Sequence, residues 1–189
     1  MSVDLKAHPV SAHDVARELM ARLPRLGEVK LHKLLYYCQG WHLGWTGEPL
    51  FRETIEAWAN GPVVADLWRA RKYGREDPAI RKLDASMLGT IGYVVSRYGA
   101  FSGMELIRLT HSEDPWRDAA ENSGPDERCD EPIELDAILR FFKNQVDHIS
   151  TTAPLLDKPE ARRRLQRGRE PNSSAPVDDL LSLRALITA

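Results

Sequence analysis

The apolar positions of this chain switch between helical and alternating spacing, and that pattern sets the expected fold. Ser11, with Asp14 three positions on, is a capping-box-like start, and Val15, Leu19 and Leu23 follow at helical spacing until Pro24 and Gly27. The next segment sets Leu31, Leu34, Leu35, Cys38, His42 and Trp45 along one stripe, with Tyr37 and Trp41 on an adjoining one. A helix apolar around so much of its girth belongs at the centre of a small domain. Gly44 and Gly47-Glu48-Pro49 are expected to end it. From Thr54 to Ala59 the pattern alternates, with Ile55, Ala57 and Ala59 opposed to Glu56 and Trp58, which predicts a short strand or extended segment. Asn60-Gly61-Pro62 is turn chemistry, and Pro62 is placed to open a helix carrying Val63, Val64, Leu67 and Trp68 that Tyr73-Gly74 stops.

Arg75 to Lys82 is charged and reads as a loop. Leu83, Met87, Ile91, Val94, Val95 and Tyr98 predict another helix, stopped at Gly99. Ser102 is a candidate cap for a helix through Leu109, and Pro115 can open a turn of helix holding Trp116, Ala119 and Ala120. Glu121 to Cys129, with Gly124-Pro125, reads as a loop, and Leu135, Ile138, Leu139, Phe142, Val146 and Ile149 form a continuous helical face. Beyond Thr151 the periodicity weakens into a basic run, a linker at 172–176 and a short amphipathic stripe from Leu180 to Ile187. The expectation is a mainly α, compact single-domain helical fold with a small β-hairpin or short strand element near 50–60. The domain would occupy 1–150, with a C-terminal extension over 151–189.

Composition narrows the function classes. With 42% hydrophobic and 29% charged residues, the chain has the balance of a soluble globule. A formal net charge of −2 and a pI near 6.3 lack the basic footprint of a phosphate-binding domain, so nucleic acid is not an expected partner. Cys38 and Cys129 lie far apart with no ligand set around them, which fits free thiols in a reducing cytoplasm. The N-terminal residues lack a signal-peptide apolar core, and no apolar run approaches the ~18–20 residues that cross a bilayer. A cytoplasmic location without membrane association is therefore expected.

Several residue groups carry two readings each. Trp41, Trp45, Trp58, Trp68 and Trp116 can pack a core or anchor an interface. Trp45 and Trp68, beside helix ends, are the better surface candidates. Gly61-Pro62 sets backbone geometry or opens its helix amides to a partner. In Thr110-His111-Ser112-Glu113-Asp114, His111 and Glu113 could make an acid/base pair, so a small hydrolase or transferase is one alternative. Otherwise Thr110 or Ser112 caps the helix at Pro115 and His111 bonds a neighbouring backbone group. No nucleophile, phosphate-loop or zinc-helix motif accompanies the pair. Cys38 and His42 share a helix face, but two ligands do not complete a metal site, so neither a metal nor a cofactor is expected. Lys30 and Lys33 read as a solvated face with stems over aromatic rings, or as a dock for an acidic partner surface. The arginines from Arg162 to Arg169 and the terminal stripe share that ambiguity between solvated helix and docking element.

Taken together, Lys30, Leu34, Tyr36, Tyr37, Gln39 and Trp41, then Leu50-Phe51, Ile55, Ala57-Trp58 and Gly61-Pro62-Val63, then Tyr73-Gly74, Tyr98-Gly99 and Thr110-His111, Glu113 and Pro115-Trp116, resemble the Panacea domain of SocA-like antitoxins and phage-associated proteins. The resemblance covers roughly residues 11 to 148. It departs at Ala59-Asn60, where that family often carries an aromatic residue. It implies a non-enzymatic antitoxin of a toxin–antitoxin system, which neutralises a cognate protein toxin, encoded by the adjacent gene, through direct protein–protein contact. An adaptor that delivers the toxin to a protease is the alternative implied by the SocA branch. The candidate contact residues are Trp58, Asn60, Gly61, Pro62, Tyr73, Thr110, His111, Glu113 and Trp116, with Arg163 and Arg167 in the tail.

Overall fold

The computed structural model describes residues 10–75, 81–122 and 130–152. Contacts divide the chain into Met1–Ser150 and Thr151–Ala189, and the described architecture is that of the first unit. The described residues form seven helices and one two-stranded sheet, so the chain is mainly α.

Helix α1 (Ala12–Arg22) begins at a full capping box: the Ser11 hydroxyl accepts from the Asp14 amide, and the Asp14 carboxylate accepts from the Ser11 amide. Helix α2 (Glu28–Thr46) is the core of the domain, with every residue from Leu31 to Leu43 buried. It packs against α1, against α4 (Ala85–Tyr98) and α5 (Gly103–His111), and against the hairpin. Gly44 lies inside α2 instead of ending it. The helix stops at Gly47, whose φ of 76° supplies the left-handed cap. The glycine at 44, like that at 40, makes room for another helix. A Cβ at Gly40 would collide with the Phe142 ring, and one at Gly44 would lie 3.1 Å from the Phe142 backbone, so both let α7 (Leu135–Thr152) cross at close range.

Strand β1 (Ile55–Trp58) pairs antiparallel with β2 (Gly61–Val64), in register Ile55↔Val64 through Trp58↔Gly61. Ile55 and Ala57 face the core, as the alternation predicts. Gly61 takes φ 88° after two exposed turn residues, the backbone that a glycine-closed hairpin bulge requires. Pro62 does not open a helix: it sits in β2, and α3 (Ala65–Lys72) starts three residues later. Its pair partner, Ala57, sends its N–H to Glu131 O at 2.8 Å on the other side of β1. A residue with no N–H is tolerated at a ladder position where none is called for. Ile133 N donates to Ile55 O at 2.8 Å, so residues 131–133 cover the outer edge of the hairpin.

Helix α5 begins at a second capping box, Ser102 with Glu105. It is followed after two residues by α6 (Asp114–Asn122), one residue earlier than Pro115 alone suggests. Arg162 to Arg169 and the Leu180–Ile187 stripe lie outside the described residues.

Candidate functional site

The N-terminal half of α2 carries polar residues inward beneath the hairpin. Lys33, expected on a solvated face, is only 1% exposed and donates from Nζ to Pro62 O at 2.8 Å. It lies on the same stripe as Tyr37 and Trp41, at helical positions i, i+4 and i+8, and that stripe faces the core. Gly61 is held from both sides: a Cβ there would lie 2.7 Å from Lys33 Cε and 2.8 Å from Thr110 Oγ1. Lys30 is half-buried and donates to Gly99 O at 2.7 Å. Beside Lys33, the buried His32 accepts the Val64 amide at Nδ1, 3.2 Å away. That bond leaves the ring hydrogen on Nε2, which has no hydrogen-bond partner and lies 3.7 Å from Glu28 Oε2.

Burial displaces the titration of both groups. It lowers Lys33 to about 7 and, helped by the nearby Lys33 and Arg71 charges, lowers His32 to about 3. His32 is therefore neutral at physiological pH.

The α5–α6 junction closes the other side of the hairpin. Thr110 is buried and bonds back into its own helix, Oγ1 to Leu106 O at 2.9 Å, while Ser112 Oγ donates to Leu109 O at 2.7 Å. Neither hydroxyl caps α6. His111 makes no backbone bond through Nε2; its ring stacks on Trp116, with centroids 3.8 Å apart and planes at 12°. Trp116 Nε1 donates to Trp58 O at 3.1 Å, which locks the junction to the hairpin. Glu113 points inward and accepts from the Tyr37 hydroxyl at 2.9 Å. Burial raises its carboxyl to about 7 against the opposing hydrogen bond from Tyr37 and the nearby Tyr36 hydroxyl. Its Oε2 and the Tyr36 hydroxyl still lack a partner at hydrogen-bond geometry. His111 and Glu113 are thus turned to different surroundings and share no hydrogen bond.

The outer face of this assembly is aromatic and cationic. Trp58 meets Trp68 edge to face at 5.0 Å, and Lys72 Nζ lies 4.5 Å from the Trp68 ring and 5.6 Å from that of Tyr73. Tyr73 is 62% exposed and Val29 44%. Ala59 and Asn60 form the exposed hairpin tip. A cleft of about 230 Å³ opens between α2, the hairpin and α3, lined by Val29, His32, Lys33, Trp58, Asn60 and Trp68 among others.

The structure therefore gathers Trp58, Asn60, Gly61, Pro62, Thr110, His111, Glu113 and Trp116 at one junction, with Tyr73 linked to it through Lys72 and Trp68. Asn60 and Tyr73 are exposed, Trp58, His111 and Trp116 are half-buried, and Gly61, Pro62, Thr110 and Glu113 are buried. Arg163 and Arg167 lie outside the described residues. Sequence reasoning passed over His32, Val29 and the burial of Lys33. The stripe shared with Tyr37 and Trp41 was the available signal for Lys33.

Cys38 is buried, with its thiol pushed up by the apolar surroundings, and His42 Nδ1 lies 3.0 Å from Thr90 Oγ1, so this pair is part of the core. Among the described residues, no three His, Cys, Asp or Glu side chains gather as a metal site. No described helix is long and apolar enough to cross a membrane.

No curated protein and no solved structure matches the chain. Residues 31–117, from the buried face of α2 to the first turn of α6, match the family model described as "Antitoxin SocA-like, Panacea domain", the family that the sequence motifs resemble.

Proposed function

We propose that this protein is an antitoxin that neutralises a cognate protein toxin by direct contact, without catalysis of its own. The observation that carries this reading is the match to an antitoxin family over the interval 31–117, which supplies α2, the hairpin, α3 and the α5–α6 junction. The contact face would be the hairpin tip with Trp58, Trp68, Lys72 and Tyr73 on one side and His111–Trp116 on the other. Trp and Tyr are among the residue types that concentrate binding energy in protein interfaces. The toxin would be blocked by occlusion or held in an inactive shape.

Co-expression with the product of the neighbouring gene tests the proposal. Growth should be restored, and the two chains should purify together. Tyr73→Ala is the informative variant, because the side chain is largely exposed and its described contact is with Lys72. It should leave stability within about 0.5 kcal/mol. It should also weaken the complex by roughly tenfold or more if Tyr73 is an anchor. Full expression without rescue by the wild type, or turnover of a substrate by the purified chain alone, would count against the antitoxin reading.

A further inference from the structure

The floor of the cleft between α2, the hairpin and α3 holds buried donors without enough acceptors. His32 is 2% exposed, and its Nε2 hydrogen has no partner. The nearest carboxylate oxygen, on Glu28, is 3.7 Å away, and Glu28 is already engaged by Arg71 at 2.7 Å. Lys33, 1% exposed, has Pro62 O as its one hydrogen-bond acceptor and makes no ion pair with a described carboxylate. Buried cations are normally paired, and buried donors are normally bonded. Glu56, on the same face of β1 as Trp58, accepts from Trp58 Nε1 at 2.7 Å and faces Arg69 at 3.5 Å, so it too is engaged elsewhere. Helix α3, which contributes Trp68 to the cleft, carries Arg69, Arg71 and Lys72 in its last turn.

The cleft is also the wrong size for a cofactor. Its volume of about 230 Å³ falls below the ~300–1,000 Å³ of small-molecule pockets. It suits one extended side chain, with Trp58 and Trp68 as apolar walls. Resting on the antitoxin reading for the identity of the partner, we propose that this cleft receives an Asp or Glu side chain of the bound toxin, whose carboxylate accepts from His32 Nε2 and Lys33 Nζ while its methylenes lie against Trp58 and Trp68. A carboxylate arriving there favours the charged form of Lys33, so binding takes up a proton and weakens as pH rises above about 7.

Two measurements test this, and they fail separately. In the first, the full chain is titrated with N-acetylglutamate or N-acetylglutamine while the His32 ring nitrogens are followed by NMR. A saturable shift of Nε2 with the acid and none with the amide is expected. No response, or the same response to both, overturns the carboxylate site. In the second, the affinity of the toxin–antitoxin pair is measured for wild type and for Ala59→Trp, a tip substitution that fills the cleft mouth without touching the core. The variant should melt with the wild type and bind at least about thirtyfold more weakly, the loss expected when a buried charge-assisted contact is removed. Unchanged affinity overturns the proposal. A saturable titration with no complex formed by the wild type would refute the antitoxin reading and retain the carboxylate site. A complex with a silent titration would do the reverse.

Discussion

The two halves of helix α2 bury polar side chains equally well and treat them in opposite ways. In the C-terminal half, Gln39 is fully used: Nε2 donates to Phe51 O at 3.1 Å, and Oε1 accepts from Leu50 N and Phe51 N at 2.9 and 3.1 Å. Trp41 Nε1 donates to the Tyr98 hydroxyl at 3.1 Å, and His42 meets Thr90. In the N-terminal half, His32 Nε2 and the Tyr36 hydroxyl have no partner, and Lys33 has one acceptor. Satisfied buried polar groups specify a fold, and unsatisfied ones need a reason. The difference teaches that one helix serves as scaffold at one end and carries the floor of the proposed recognition cleft at the other.

The sharpest way to break the contrast is at the scaffold end. Gln39→Leu would leave three buried backbone groups of the Leu50-Phe51 segment unpaired, each costing about 1–3 kcal/mol. We expect a loss of roughly 4 kcal/mol in urea unfolding, with no effect on partner affinity in whatever fraction remains folded. A loss under about 1 kcal/mol would mean that the segment finds other partners and that the Gln39 network is not a fold determinant.

Gly61→Ala acts at the boundary between the two regimes. Alanine at φ 88° is strained, and its Cβ would press on Lys33 and on Thr110. The far end of Lys33 can move and the Thr110 hydroxyl cannot, so the expected cost is about 2 kcal/mol. Because the turn itself shifts, this variant should also lose partner binding, which Gln39→Leu should not. Equal affinity for Gly61→Ala and wild type would show that the hairpin tip is not contacted.

Glu113 sharpens the comparison through pH. Its folded value is raised to about 7 from an ordinary 4.5. The contribution to stability is therefore complete below about 4.5 and is lost as pH rises through about 7. Glu113→Gln keeps an acceptor for Tyr37 and removes the ionisation. His32, lowered to about 3, pulls the other way over much of the same window in both chains, so we expect the difference between the wild-type and Glu113→Gln stabilities to fall by on the order of 2 kcal/mol across it. A difference that is flat or rising across the window would show that Glu113 is paired in a way the structure does not contain.

Much of the scaffold was legible in sequence because its signals are local. The Ser11/Asp14 capping box, the Ser102 cap, the girdle of α2 and the alternation of Ile55 and Ala57 all act within a few residues of themselves. The misread positions share the opposite property. Gly44 looked like a stop, but its role is set by Phe142 from α7. Pro62 looked like a helix start, but its role is set by Ala57 sending its N–H to Glu131. The proposed recognition end was legible as a set of names and not as an arrangement. Trp58 and Trp116 could be singled out, yet the bond between Trp116 Nε1 and Trp58 O joins residues 58 positions apart. Thr110 and Glu113 read as candidate contacts, and both are buried. Lys33 was misjudged because a lysine is ordinarily solvated; only its stripe carried the information.

Lys33 gives the smallest expected effect on stability and the one that best separates the two ends of α2. Its folded value is lowered to about 7 from 10.5, so the fold prefers the neutral amine. That contribution is present above 10.5 and is lost as pH falls through about 7. Lys33→Met places a flexible apolar side chain of similar reach in the same space. It removes the cost of burying an ammonium without a carboxylate partner and leaves Pro62 O unbonded, which partly offsets the gain. The net change at neutral pH should be a stabilisation of about 1 kcal/mol, in line with the general outcome when buried charges are replaced by hydrophobes. It should hold nearly steady below about 7, where the wild-type amine is charged in the folded and unfolded chain alike, and fade as pH rises toward 10.5. Were Lys33 a structural strut like Gln39, the same substitution would destabilise the domain at every pH. A pH series of urea unfolding curves for wild type and Lys33→Met therefore tells the two roles apart by the sign of a small number.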